Sequence, residues 1–134
     1  MSIYLLDSNT CVEYLRNRNP GVVQRIRSEP TQNIRLCSVV LGELYYGAFR
    51  SADPGKNLTL LRKFIGKFKS LPFDDAAAAV YGEERAKLEK LGTKIGPHDL
   101  QIAAIALADS LKVVTHNVSE FSRVDGLSVE DWQV

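Results

Sequence analysis

Four side chains of this sequence could gather oxygen atoms around one point: Asp7, Glu43, Asp99 and Asn117. They are far apart along the chain, yet each stands where an apolar run ends or a helix begins. Asp7 closes Ile3-Tyr4-Leu5-Leu6. Glu43 lies in the first turns of a helical stretch that follows Ile34-Arg35-Leu36-Cys37. Asp99 lies in the first turn of a stretch opened by Pro97, and Asn117 comes just after Lys112-Val113-Val114-Thr115. Crowded carboxylates repel, and some take up protons unless a cation joins them. With oxygen donors only, magnesium is the fitting cation, since it prefers hard oxygen ligands in octahedral array at about 2.0–2.1 Å and keeps several waters; manganese accepts the same donors. A water held by such an ion loses its proton more easily, and the ion screens charge building on phosphorus oxygens. The chemistry this set points to is hydrolysis of a phosphodiester. One ion or two, roughly 3.5–4 Å apart, could share the site.

Each residue also has an ordinary structural role. Asp7 can cap a helix. Glu43 alone reads as an exposed helix carboxylate. Asp99 suits the positive end of a helix dipole, and Asn117 suits a turn. The functional reading rests on their coincidence, and that requires a fold that brings them to one rim.

The pattern supplies such a fold. Ile3–Leu6 reads as a short buried strand stopped by Asp7-Ser8-Asn9-Thr10, residues that favour turns and caps. A helix follows through Val12, Tyr14 and Leu15. Asn19-Pro20 marks the cap and first position of a second helix ending near Glu29-Pro30. Ile34–Cys37 is a second strand, after which Ser38 can cap a helix from about Val39 to Phe49. Ala52–Gly55 reads as a loop, and Leu58, Leu61, Ile65 and Phe68 give helical spacing from Lys56 to Phe68. Leu71–Phe73 reads as a short third strand or an edge. Asp74-Asp75 caps a helix from Ala76 to Leu91 that Gly92 ends. Pro97 opens a helix to about Ser110, Lys112–Thr115 is a strand, Asn117–Phe121 a turn or short helix, and Leu127–Val129 a last strand. Helices alternating with short apolar strands predict an α/β architecture, a mostly parallel sheet between two helical layers. In such sheets reactive groups collect beyond the C-terminal strand ends, where all four oxygen-bearing residues fall.

The 134 residues make one ordinary domain, 1–134, with no interdomain linker. Hydrophobic content of 45% and charged content of 25% are those of a soluble globular protein. No apolar run approaches the roughly 20 residues of a membrane span, and the N-terminus lacks a basic region and a long apolar stretch of the signal-peptide kind. Cys11 and Cys37 have no metal-type or disulfide-type spacing, so free thiols in a reducing cytoplasm are expected. A net charge of +1 excludes nucleic-acid binding by bulk charge, leaving local patches.

The stretches Leu5-Leu6-Asp7-Ser8-Asn9, Ser38-Val39-Val40-Leu41-Gly42-Glu43-Leu44-Tyr45-Tyr46-Gly47, His98-Asp99-Leu100-Gln101-Ile102-Ala103-Ala104 and Val113-Val114-Thr115-His116-Asn117-Val118-Ser119-Glu120-Phe121 resemble, in this order and at these separations, the PIN-domain family and its VapC-like toxins. The ending Val124–Trp132 is similar as well, so the resemblance covers the whole chain. It implies a five-stranded parallel sheet and metal-dependent endoribonuclease activity, with Asp7, Glu43 and Asp99 at the acidic positions. The fourth position is often Asp in the family and is Asn117 here, one charge fewer. Asn9 and Thr115 match polar positions that hold the cluster in place. The resemblance further implies an antitoxin partner, gripped by a groove between the helices after Ser38 and after Lys56, and RNA, with transfer RNA a substrate of related toxins.

The other conspicuous residues divide between structure and recognition. Lys56, Arg62, Lys63, Lys67 and Lys69, with no acid between them, read as a solvated face or a phosphate-contacting surface. Tyr45, Tyr46 and Phe49 read as core, dimer interface or stacking platforms for bases. Apolar and aromatic content around Tyr45, Tyr46 and Leu61 predicts a homodimer. His98 and His116 lack the further nitrogen or sulfur ligands of a zinc site. Glu83, Glu84, Arg85, Lys87, Glu89 and Lys90 read as an exposed face with charge pairs, and Trp132 as an anchor for the chain end. A haloacid-dehalogenase-type phosphatase would need an Asp where Asn9 stands. A receiver domain would need a further acidic pair. The alternative from another class is a non-catalytic RNA-binding or regulatory module of the same fold, which a missing Asp7, Glu43 or Asp99 would mark; all three are present.

Overall fold

A computed structural model describes residues 2–134. Its sheet has five short strands: β1 (Tyr4–Leu6), β2 (Ile34–Cys37), β3 (Lys69–Leu71), β4 (Lys112–Val114) and β5 (Ser128–Glu130). Their order is β3-β2-β1-β4-β5, and every pair is parallel. The central strands carry unbroken apolar runs because both faces are covered: Leu5, Leu6, Ile34, Leu36, Val113 and Val114 are fully buried.

The connections are helical. Between β1 and β2 lie α1 (Ser8–Leu15), α2 (Pro20–Ser28) and a single 3₁₀ turn at Thr31–Asn33. Between β2 and β3 lie α3 (Ser38–Phe49) and α4 (Pro54–Ile65). Between β3 and β4 lie α5 (Asp75–Leu91) and α6 (Pro97–Ala108), and between β4 and β5 lies α7 (Val118–Phe121). Parallel crossovers are right-handed. The chain steps outward from β1 to β3, then jumps to β4 on the other side of β1. The first four helices therefore cover one face and the last three the other. This is the three-layer α/β/α arrangement expected from the alternating pattern.

The reversal of strand order falls between β1 and β4, which leaves a crevice at their C-terminal ends. The register there is tight. Leu6 pairs with Val114, the Asp7 amide donates to the Val114 carbonyl at 3.1 Å, and the Thr115 amide donates to the Glu130 carbonyl at 2.9 Å.

Several expected boundaries move. Helix α4 starts at Pro54 rather than Lys56, because Asp53 caps it by accepting from the Lys56 amide at 3.2 Å. Strand β3 is Lys69–Leu71 rather than Leu71–Phe73; its pairing with Arg35, Leu36 and Cys37 is made by backbone, so polar Lys69 and Ser70 can take part. Ser38 is the first residue of α3 rather than its cap; Cys37 holds the cap position. The end of α5 is as expected, with Gly92 in the left-handed region at φ 72°. Glu84 is buried beside its Lys87 partner at 3.1 Å instead of lying on the exposed face.

Trp132 anchors the end of the chain. Its ring packs edge-to-face on Tyr4 with centroids 5.1 Å apart, and the Arg25 guanidinium sits 4.6 Å from its centroid. The Asn19 side chain donates to the Val134 carbonyl at 3.1 Å and accepts from its amide at 3.2 Å.

Candidate active site

Asp7 ends β1 and caps α1. Its Oδ1 accepts from the Thr10 amide at 2.9 Å, and the Thr115 hydroxyl bonds its carboxylate from the neighbouring strand end. The Thr10 hydroxyl in turn donates to the Val114 carbonyl at 3.2 Å, tying the turn to β4. Asp7 is thus held from α1 and from the residue after β4, and is buried, only 5% exposed. Burial raises its pKa, Thr115 and Thr10 pull it back, and the charge of Glu43 adds to the rise.

Glu43 reaches the same crevice from α3. Its Oε1 accepts from the Ser8 hydroxyl at 2.7 Å, and its Oε2 lies 3.9 Å from His98 Nδ1. Asp99 stands in the first turn of α6, half-buried, and its pKa is pushed up to about 6 by burial, then by the charges of Asp7, Glu120 and Glu43. The three carboxylates expected to meet do act on one another.

Asn117 is exposed, its amide held by the Thr115 hydroxyl at 2.9 Å. Its side chain bonds Asp99 and donates to Glu120 Oε2 at 2.6 Å. Glu120 is a member of the site that the sequence reading passed over. Its Oε1 accepts from the Gly96 amide at 2.8 Å, at the start of α6. The bonds from Asn117 and Gly96 hold its pKa below the ordinary value, so it stays charged beside Asp99. A carboxylate is therefore present at this edge although Asn117 brings none.

Thr115, expected among the supporting residues, lies beside Asp7 and accepts from the Asn117 amide. Asn9 is exposed, and among the described residues no hydrogen bond joins it to the acids; Ser8 and Thr10, on either side, make those contacts. The histidines diverge, His98 lying toward Glu43 and His116 pairing with Asp131 at 2.9 Å.

The donor set suits a hard divalent cation. Among the described residues no Lys or Arg forms an ion pair with Asp7, Glu43 or Asp99, so their charge is uncompensated by protein. Both cysteines are buried in the core, and burial raises the Cys11 thiol well above its usual range and Cys37 to about 11. Among the described residues no three His, Cys, Asp or Glu side chains close directly around one point. A hard cation that keeps several of its waters takes few carboxylates directly.

A shallow groove of about 160 Å³ runs from Glu43 between α1, α3 and α4, lined by Val12, Leu15, Leu44, Leu60 and Leu61. No helix of the described residues is long and apolar enough to cross a membrane.

The PIN domain family model matches residues 4–127. The tRNA(fMet)-specific endonuclease VapC of Salmonella typhimurium is 38% identical over 129 residues, spanning 96% of this chain and 97% of its own. Ribonuclease VapC2 of Rickettsia felis is 36% identical over 132 residues, spanning 97% and 98%. Among solved structures, DNA-bound VapBC from Salmonella typhimurium superposes with a TM-score of 0.91 at 37% identity, covering 98% of this chain and 99% of that one. VapBC2 from Rickettsia felis, bound to a promoter DNA fragment, gives 0.90 at 32% identity, covering 98% and 99%.

Proposed function

Because this chain belongs to the PIN domain family, we propose that its acidic rim hydrolyses phosphodiester bonds of RNA with magnesium or manganese. In this reading the chain is the toxin of a toxin–antitoxin pair and works in the cytoplasm. The observation that carries the reading is that the charges of Asp7, Glu120 and Glu43 all act on Asp99 while, among the described residues, no Lys or Arg is paired with Asp7, Glu43 or Asp99. The nuclease activity and RNA as substrate are supported by the relatives named as ribonucleases.

Asp7, Glu43 and Asp99 would hold the ion. When bound, it supplies a water of lowered pKa and positive charge for the phosphoryl oxygens. The chain does the positioning. Thr10 and Thr115 fix Asp7 from α1 and from the residue after β4, so its carboxylate cannot swing away when the charge opposite changes. Ser8 orients Glu43 through one oxygen and leaves the other facing the crevice. Asn117 holds Asp99 against Glu120, offsetting part of their repulsion.

Transfer RNA is the substrate class we infer, from the relative named for tRNA(fMet). A protein antitoxin follows from the VapBC complexes that this chain superposes on. The groove between α1, α3 and α4 would receive its apolar side chains, and a basic side chain at the groove's end would pair with Glu43 in place of the ion.

The test is direct. Purified chain with transfer RNA and magnesium should produce discrete fragments, and chelator should stop cleavage. Asp7→Asn, Glu43→Gln and Asp99→Asn should each lower the rate by orders of magnitude with circular dichroism unchanged. Full activity in excess chelator defeats the metal mechanism. Metal-independent RNA binding without cleavage favours the non-catalytic module.

A further inference from the structure

Next to the acidic rim lies a second concavity that hydrolysis itself leaves unused. Ser38, Glu43 and Tyr46 from α3 and His98 and Gln101 from α6 line an open cleft of about 500 Å³. This lies within the roughly 300–1,000 Å³ of small-molecule sites. Glu43 belongs to both concavities, so a strand laid across the acids continues into the cleft.

Tyr46 is the unusual member. It is 65% exposed, on the face of α3 opposite buried Val40, Leu44 and Ala48. Arg50, one turn on, stands over the ring at 5.6 Å from its centroid and donates to its hydroxyl at 3.4 Å. The ring is restrained but not covered. A restrained aromatic face is what a nucleobase stacks on, and such stacking is sequence-tolerant because every base has a π-face. Discrimination needs hydrogen-bonding groups nearby. Gln101, half-buried, brings a carboxamide that both donates and accepts, and exposed Ser38 brings a hydroxyl.

We propose that the cleft between α3 and α6 is a base-reading subsite: a nucleotide flanking the scissile phosphate stacks on Tyr46 and presents its edge to Gln101 and Ser38. This rests on the RNA-hydrolysing reading of the rim. It assigns specificity to residues outside the acidic set.

The experiment separates the two. Short fluorescent oligoribonucleotides, intact or with one abasic position, are titrated by anisotropy into the full chain carrying Asp7→Asn, which binds without cutting. Base removal at one position should weaken binding about tenfold, within the 1–3 kcal/mol of base–aromatic stacking. Adding Tyr46→Ala should cause the same loss on intact RNA and no further loss on the abasic strand. Tyr46→Phe should keep the affinity, and Gln101→Ala should change the preference among bases at that position. Equal loss on intact and abasic strands, no position at which the base matters, or no binding of any strand overturns the proposal. Conversion of a dimer to a monomer by Tyr46→Ala also overturns it, placing the ring between copies of the chain. If the base–tyrosine coupling appears but the unsubstituted chain cuts no RNA with magnesium, the subsite stands and the hydrolytic reading fails.

Discussion

Replacing Asp99 by Asn should stabilise the metal-free protein at neutral pH. The carboxyl is pushed from an ordinary 3.8 up to about 6, burial acting first and the charges of Asp7, Glu120 and Glu43 after it. At about 1.4 kcal/mol for each tenfold change in proton affinity, this displacement corresponds to about 3 kcal/mol of unfavourable charging. Asp99 is half-exposed and water screens part of that, leaving about 1–2 kcal/mol. The sign follows from linkage. The folded chain holds this proton more tightly than the unfolded chain, so the stabilising contribution is complete below about pH 4 and is lost as pH rises through about 6. Asparagine carries no charge and its side-chain oxygen can still accept from Asn117. For 134 residues the unfolding entropy is about 0.3 kcal/mol per kelvin, so the gain should read as a rise of about 4–7 °C in Tm at pH 7.5. Paired thermal melts in chelator at pH 7.5 and pH 4 measure it. The difference should shrink toward zero at the lower pH, where both side chains are neutral. A variant that melts lower at pH 7.5, or one whose advantage persists unchanged at pH 4, would refute the view that crowded charge raises this carboxyl.

Three other perturbations probe separate parts of the molecule. Asp7→Asn keeps the helix cap but removes a buried charge whose pKa is raised, so without metal it should melt higher at neutral pH. Magnesium should then raise the unsubstituted chain more, by about 2.7 kcal/mol at a hundredfold excess over Kd; equal gains in differential scanning calorimetry would contradict a shared metal site. Gly21→Ala should destabilise by about 1–3 kcal/mol although alanine is the better helix former, because its Cβ would lie 2.5 Å from the Trp132 carbonyl oxygen; a urea midpoint that rises would refute the tightness of that contact. Light scattering should give a dimer, with Phe49, 61% exposed, as an apolar contact, and Phe49→Asp should yield a monomer. Tyr45 and Leu61 are poor candidates for this contact, since the structure half-buries the first and buries the second.

What the sequence made legible was whatever the backbone signals in runs. Three buried strands and the turn at Asp7-Ser8-Asn9-Thr10 could be read because an apolar stretch stops where capping residues start. Edge strand β3 was placed two residues late because Lys69 and Ser70 pair through backbone alone, and the apolar signal drifted to Phe73. The start of α4 carried the same cap-then-proline signature in Asp53-Pro54 as Asn19-Pro20. Neighbouring Ala52 and Gly55 gave that stretch the composition of a loop. Within the site, the first turn of α1 decides which neighbour faces inward. Ser8 and Thr10 do, Asn9 does not, and composition cannot settle such a choice. Glu120 sits on a helix of one turn, too short for any periodicity. Its only signal is the three-residue spacing from Asn117, which places both side chains on one side of that turn.

The strand order also sets a timetable. Central strand β1 lies between β2, which follows within 30 residues, and β4, which pairs Leu6 with Val114 across 108 positions. During synthesis the first four helices can collapse on β1–β3 while Asp7 has nothing on its other side. Thr115, which locks Asp7, and Asn117 with Glu120, which hold Asp99, all arrive with the last fifth of the chain. Contacts this remote in sequence close slowly, because the loop entropy must be lost before any pairing rewards it. A nascent chain therefore carries Asp7 and Glu43 long before it has a rim to place them on, and hydrolytic competence is acquired late in synthesis rather than growing with length.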